Sequence, residues 1–248
     1  MASTLNLKTP GGQMATIGRP LLGLTILLVE DSRYCSEAIR LLCHRSGARL
    51  RRADSLRAAH RHLATYRPSV VLVDLGLPDG SGLDMVRELA LNRPNTPVIL
   101  AISGDDPQIA GPLAQRAGAD GFIPKPLKNL RAFQDLLLSF FPDRERPRQN
   151  NVIPMSRDVE PDDLAMKEDL QHVLSLIETS AAATVPDRET LLYCAQFLKS
   201  ISEAAADTSL SAAAIRLSQN LGAGMKGRDL IDGVATLLRH RLDVMIDL

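Results

Sequence analysis

Short apolar runs alternate with amphipathic stretches through the first half of the chain. TILLV at 25–29, VVLV at 70–73 and PVILAI at 97–102 are β-branched and uninterrupted by polar residues. That pattern suits strands buried on both faces of a parallel sheet. RLRRA at 49–53 and GFI at 121–123 are weaker candidates for two further strands. Between the runs, helical periodicity predicts helices over Ser36–Arg45, Leu56–Tyr66, Leu83–Leu91, Gln108–Ala117 and Leu127–Phe140. Strand and helix alternate five times, which predicts an α/β domain with a doubly wound five-stranded parallel sheet over 21–142. Within DDPQIAGPLAQ at 105–115, Pro107 suits a first helical turn, whereas Pro112 removes an interior donor. The fourth helix is therefore predicted to be short or kinked, with a softened surface.

Beyond this region the strand signals stop. Residues 1–20 have no period and read as a disordered tail; PDRERPRQNNVIP at 142–154 falls in a linker spanning 143–158. From 159 to 248 only helical spacing remains. Leu164, Leu170, Val173, Leu174 and Ile177 form one stripe, and Leu191, Ala195, Leu198 and Ile201 or Ser202 form another. A third helix is predicted from a Ser209 cap to Gly222, and a fourth from Arg228 through Ile231, Val234, Leu238, Leu242 and Met245. These four make a helical bundle, closed within one chain or completed by a second copy.

Composition narrows the possibilities. The 248 residues suit one or two domains, and 45% apolar with 23% charged residues is ordinary for a globular protein. No apolar run is long enough for a membrane span, and the N-terminus lacks a signal-peptide core. Three cysteines make a disulfide framework improbable, so the expected address is cytoplasmic. Net charge is zero but unevenly spread. Leu21–Pro142 carries 15 Lys+Arg against 12 Asp+Glu, a balance of +3, and Asn150–Leu248 carries 9 against 15, a balance of −6. Phosphate recognition needs clustered cations and stacking needs aromatics, here only 3%, so nucleic acid is not an expected partner.

The chemistry lies where the predicted strands end. In an open parallel sheet, functional groups collect beyond the carboxyl ends. The first strand ends in Glu30-Asp31, the third in Asp74 and the fourth in Ser103, and Lys125 follows the fifth. Three clustered carboxylates repel one another unless a hard cation sits among them, and all-oxygen donors suit Mg²⁺. Asp74 would then attack phosphorus as a carboxylate nucleophile, Lys125 would pair with the phosphoryl oxygens and Ser103 would bond another. Taken singly, Asp74 also reads as a turn residue, Glu30-Asp31 as a helix cap, Lys125 as a solvated lysine and Ser103 as a loop hydroxyl.

LLVEDS at 27–32, VDLGLPDGSG at 73–82, ISG at 102–104 and AGADGFIPKPL at 117–127 together closely resemble the receiver domain of two-component response regulators. The resemblance covers about Leu24–Phe141 and implies a flavodoxin-like receiver fold. It implies that Asp31, Asp74 and the Gly76 carbonyl hold Mg²⁺ and that Glu30 acts through water. It further implies that Ser103 and Phe122 form a switch pair, and that a histidine kinase or histidine phosphotransfer protein is the donor. Glu30 stands where aspartate is more usual, and Gly104 where alanine is common.

The helical half is less informative. Gln196-Phe197-Leu198-Lys199-Ser200 weakly resembles the His-x-Leu-Lys-Gly motif of histidine phosphotransfer bundles, with Gln196 in place of the histidine and Lys199 matched. No relay passes through Gln196, yet such a bundle can still dock or dimerise. His172 and His240 sit far apart in the sequence. The favoured reading is a phosphorylation-controlled interaction or dimerisation module without a separate enzymatic output. The alternatives are a DNA-binding regulator and a phosphatase acting on another receiver through Gln196, with Glu203 seven residues on along one helix face.

Overall fold

The computed structural model describes residues 19–92, 97–127, 129–142, 163–183, 186–222 and 228–245. The tail expected at 1–20, up to residue 18, and the linker expected at 143–158 lie outside them. The sheet half runs β1 (Thr25–Val29), α1 (Arg33–Ser46), β2 (Arg49–Ala53), α2 (Leu56–Thr65), β3 (Val70–Asp74), β4 (Gly76–Leu77), β5 (Gly80–Ser81), α3 (Gly82–Leu91), β6 (Val98–Ser103), α4 (Pro107–Ala117), β7 (Gly121–Pro124) and α5 (Leu130–Ser139). Five strands pair in parallel in the order β2-β1-β3-β6-β7. The order reverses between β1 and β3, so the two central strands end beside a crevice, the usual place for a site in such a sheet. Both faces are covered. Ile26, Leu28, Leu72, Leu100 and Phe133 fill one side, and Leu27, Val29, Val71, Val73 and Ile99 the other. Their alternation along each strand is why the runs read as continuously apolar.

Two details depart from the pattern reading. A two-residue antiparallel ladder, β4–β5, closes the loop after β3, and it is too short to leave a periodic signal. Helix α4 is a continuous eleven-residue element, not a shortened one. Ala110, Ala114 and Ala117 bury its inner face while Pro112 points to solvent. The carbonyl that loses its partner at Pro112 is that of Gln108, itself an exposed residue, so the lost bond falls on the solvent side.

Helices α6 (Asp163–Ala182), α7 (Arg188–Ala204), α8 (Thr208–Gly222) and α9 (Arg228–Val244) follow. All four contribute to one apolar core, among them Leu170, Val173, Leu198, Leu210, Leu217, Val234 and Leu238, so the bundle closes within one chain. Leu164, placed in the first stripe by its spacing, is 59% exposed. Asp207, not Ser209, caps α8: its Oδ1 accepts from Leu210 N at 3.0 Å. The same carboxylate takes two bonds from Arg241 of α9, at 2.8 and 3.2 Å, which fixes it at the helix start. Among the described residues, no helix is long and apolar enough to cross a membrane.

Candidate functional site

The crevice is built from strand ends. Glu30 follows β1 and is fully buried, and Asp31 comes next. Ser32 then caps α1, its Oγ accepting from Cys35 N at 2.9 Å. Asp74 ends β3 at 6% exposure and Ser103 ends β6 at 1%. Behind Asp74 the chain turns sharply enough that a Cβ at Gly82 would lie 1.9 Å from the Asp74 carbonyl oxygen, so only glycine fits. Asp79 fastens the same loop to α2 by accepting from Leu56 N and Arg57 N at 2.9 and 3.0 Å.

The side chains converge. Ligand oxygens of Glu30, Asp31 and Asp74 lie within 4.8 Å of one another. Lys125 Nζ lies 2.7 Å from Glu30 Oε2 and 3.0 Å from Asp74 Oδ2. One ammonium thus faces three carboxylates. Burial pushes Glu30 up to about 8, with Lys125 pulling the other way and Asp74 and Asp31 adding to the rise. Burial likewise pushes Asp31 up to about 6, helped by Asp74, and raises Asp74 itself against the pull of Lys125. Burial alone would lower Lys125, but Asp74 and Glu30 together hold its ammonium well above the usual range. With all three carboxyls ionised, two negative charges would remain in excess over Lys125, which is what the raised values resist, and Asp31 Oδ1 is buried without a hydrogen-bond partner. An all-oxygen donor set with an orphaned carboxylate oxygen fits a hard divalent cation. Phe122 is partly buried beside α4, 3.6 Å from where a Cβ on Gly111 would stand.

The helical half closes this crevice. Gln196, Phe197 and Ser200 of α7 line a cavity of about 20 Å³ together with Glu30, Asp74, Gly76, Ser103, Gly104 and Lys125. That is space for about one water. Tyr193 donates its hydroxyl to Asp31 Oδ2. Asp105, just past Ser103, joins the two halves. Its Oδ2 accepts from Ser103 Oγ at 3.2 Å and from Gln196 Nε2 at 3.2 Å, and its Oδ1 from Lys199 Nζ at 3.4 Å. The Asp105 amide in turn donates to Ser103 Oγ at 3.1 Å. The close approach of α7 is tightest over two glycines, where a Cβ on Gly104 would force α7 to give by a few tenths of an ångström and one on Gly76 would turn aside only the end of the Gln196 side chain. A Cβ on Gly76 would lie 2.8 Å from Gln196 Nε2, and one on Gly104 would lie 3.2 Å from Ser200 Cα. Glycine at 104, where alanine is common in the family that the sequence resembles, thus has a steric reason in this chain.

A second anchor comes from α6. Asp169, 4% exposed, accepts from Ser32 Oγ at 2.8 Å, Arg33 N at 3.0 Å and Tyr34 N at 2.9 Å. A carboxylate of one half thereby meets the positive end of a helix in the other. Burial raises Asp169 while the Tyr34, Arg33 and Ser32 bonds pull it back. Arg33 also pairs with Glu168 at 2.7 Å. His172 lines an open groove beside Asp31 and Tyr193, whereas His240 is exposed on α9.

The structure therefore brings Glu30, Asp31, Asp74, Gly76, Ser103 and Lys125 to one edge and adds Gln196 and Lys199 from the helical half. Glu203 lies on α7 near Asp105, and burial raises its carboxyl. Sequence reasoning did not single out Asp105, Asp169 or Tyr193. Asp105 stood directly after the ISG stretch, so position could have found it. Asp169 and Tyr193 carried no signal, since each reads as an ordinary residue of an amphipathic helix.

Residues 26–136 match the family model described as the response regulator receiver domain. Among curated proteins, the chain is 35% identical over 103 residues to the KDP operon transcriptional regulatory protein KdpE of Escherichia coli K12, covering 41% of this chain and 44% of that protein. It is 32% identical over 111 residues to the probable transcriptional regulatory protein TcrX of Mycobacterium tuberculosis, covering 44% and 45%. The chain spans about half the length of the curated relatives it matches. Similar solved structures include the signal receiver domain of a DNA-binding response regulator from Colwellia psychrerythraea, at 19% identity and TM-score 0.44, covering 48% of this chain and 98% of that one. Another is a response regulator signal receiver domain from Bermanella marisrubri, at 31% identity and TM-score 0.40, covering 48% and 96%.

Proposed function

We propose, from the match of residues 26–136 to the response regulator receiver domain, that Asp74 accepts a phosphoryl group from a histidine kinase or histidine phosphotransfer protein. The observation that carries this reading is the buried cluster of Asp74, Asp31, Glu30 and Lys125 at the sheet edge. Asp31, Asp74 and the Gly76 carbonyl, with Glu30 behind them, would hold magnesium, whose charge would let an anionic phosphoryl group meet an anionic nucleophile. An Asp74 carboxylate oxygen attacks phosphorus, the bond from phosphorus to the donor nitrogen breaks, and the imidazole leaves with its electron pair. Lys125, already within 3.0 Å of Asp74, pairs with the phosphoryl oxygens in place of the carboxylate. Ser103 turns from Asp105 toward the new oxygens, and Phe122 follows into the space it leaves.

The output is the helical half, read as an interaction or dimerisation module controlled by this site and acting in the cytoplasm. Its contacts with the site through Tyr193, Gln196 and Asp169 support that role over an independent enzyme. Gln196 is engaged with the chain's own Asp105, which disfavours the foreign-phosphatase alternative. The printed names of the relatives, transcriptional regulators, favour a DNA-binding output, whereas the −6 balance of Asn150–Leu248 opposes it. A mobility-shift assay at low salt separates the two: any salt-sensitive DNA binding by the full chain favours the regulator of transcription. For the phosphoryl step, the full chain is incubated with Mg²⁺ and phosphoramidate and its intact mass is measured. The expected result is the gain of one phosphoryl group in wild type and none in Asp74→Asn. An equal gain in both sinks the assignment.

A further inference from the structure

We propose that docking of the helical half and loading of the acidic site are mutually exclusive, so that α7 is the resident occupant of the face that a phosphohistidine donor must reach. This rests on the receiver reading of Asp74 and adds to it the state that is broken on loading and the residues that break it.

Three observations converge. The first is room. The cavity between Asp74 and α7 measures about 20 Å³. A phosphoryl group with three oxygens and a cation beside it need several times the space of one water. The walls on the sheet side are strand ends and a buried lysine, whereas those on the other side are Gln196, Phe197 and Ser200 on a single helix. The helix is what can withdraw.

The second is competition for ligands. Asp31 Oδ2 holds the Tyr193 hydroxyl, while its Oδ1 is buried and unpartnered. A cation drawn to Asp31 weakens the carboxylate as an acceptor for Tyr193, and so loosens one of the bonds that fasten α7.

The third is Asp105. Its carboxylate is shared among Ser103, Gln196 and Lys199. When Ser103 turns to a phosphoryl oxygen, Asp105 loses that partner and gains a dianionic neighbour. Repulsion displaces Asp105 together with the Gln196 and Lys199 bonds that it holds.

Gly76 and Gly104 complete the picture from the other side. Helix α7 lies directly over both, with Gln196 Nε2 2.8 Å and Ser200 Cα 3.2 Å from the Cβ positions. A donor histidine has to enter between the same glycines. The donor therefore competes with α7 for one surface, and by linkage whatever loosens α7 favours loading of the site while whatever loads the site loosens α7.

A cross-link tests this in the full chain. A Cβ on Gly104 lies 3.3 Å from Ser200 Cβ, close to disulfide range. The variant Gly104→Cys/Ser200→Cys locks α7 down when oxidised and frees it when reduced. Binding of Mg²⁺ with beryllofluoride, which stands in for the phosphoryl group, is measured by calorimetry in both forms of one preparation. The expected result is at least a ~10-fold weaker affinity in the oxidised form, restored by dithiothreitol, the size of an ordinary allosteric coupling. Tyr193→Phe and Asp169→Ala should instead bind more tightly than wild type. Equal affinity of oxidised and reduced forms, or no tightening in either single variant, overturns the proposal. If the disulfide does not form, the single variants decide alone, and no tightening in either overturns the proposal. If neither wild type nor the reduced variant binds the analogue, the receiver reading of Asp74 falls, and this inference with it.

Discussion

At the sheet edge, Glu30, Asp31 and Asp74 share the single ammonium of Lys125, and Asp31 Oδ1 is left with no partner. On α6, Asp169 stands alone and is given three donors, two of them backbone amides at a helix start. Both are buried acids, but the first group is short of positive charge and the second is fully satisfied. Buried polar groups without partners cost stability unless something else is to bind there. On the proposed function, the unsatisfied cluster is a site for ligands, and the satisfied carboxylate is a fastening. Two kinds of acid thus separate the half proposed to take the phosphoryl group from the half that is held against it.

Removing the fastening gives the largest expected effect on docking. Asp169→Ala leaves Ser32 Oγ and two α1 amides without their acceptor, at a cost of about 1–3 kcal/mol to docking. Hydrogen exchange at Arg33 and Tyr34 should rise severalfold, while the β1 and β3 amides stay protected. Unchanged exchange at α1 would mean that Asp169 is not what holds the halves together.

The unsatisfied cluster should reveal itself in a pH profile. Glu30 moves from 4.5 to about 8 and Asp31 from 3.8 to about 6 on folding. A carboxyl whose folded pKa is raised stabilises the fold at low pH and loses that contribution as pH rises through the folded value. The metal-free protein should therefore lose melting temperature between about pH 4 and pH 8, on account of these two groups. A saturating divalent cation favours the ionised forms and should flatten the slope, as should Glu30→Gln combined with Asp31→Asn. A slope indifferent to Mg²⁺ and to both substitutions would place the charge imbalance elsewhere.

The smallest effect is expected at Lys199. Its bond to Asp105 is 3.4 Å long and partly exposed, so Lys199→Met should weaken docking by at most about 1 kcal/mol. High salt should remove the difference between the variant and wild type. A larger loss would make Lys199, and not Gln196, the principal tie to Asp105.

The uneven legibility of the chain follows from the same contrast. Asp74, Ser103 and Lys125 could be found because a parallel sheet fixes where strand ends go, and a strand end is visible as the last residue of an apolar run. Gln196 and Lys199 were marked through a partial motif, and the structure brings both to Asp105. Asp169 and Tyr193 were invisible. Their importance arises from which face of α6 and α7 packs on α1, and a helix with one apolar stripe does not announce what its remaining faces meet. Local chemistry misled in two places. Ser209 looked like a cap, but Asp207 lies nearer the helix start and is fixed by Arg241. Pro112 pointed to a short or kinked helix, but α4 runs on for 11 residues with Pro112 on its exposed side.

The central claim is that loading Asp74 parts the two halves. Small-angle scattering of the full chain, with and without Mg²⁺ and beryllofluoride, tests it most directly, with binding of the analogue verified by calorimetry on the same sample. The account predicts a larger radius of gyration in loaded wild type and no change in Asp74→Asn. Scattering from loaded and unloaded wild type that superimposes would contradict it.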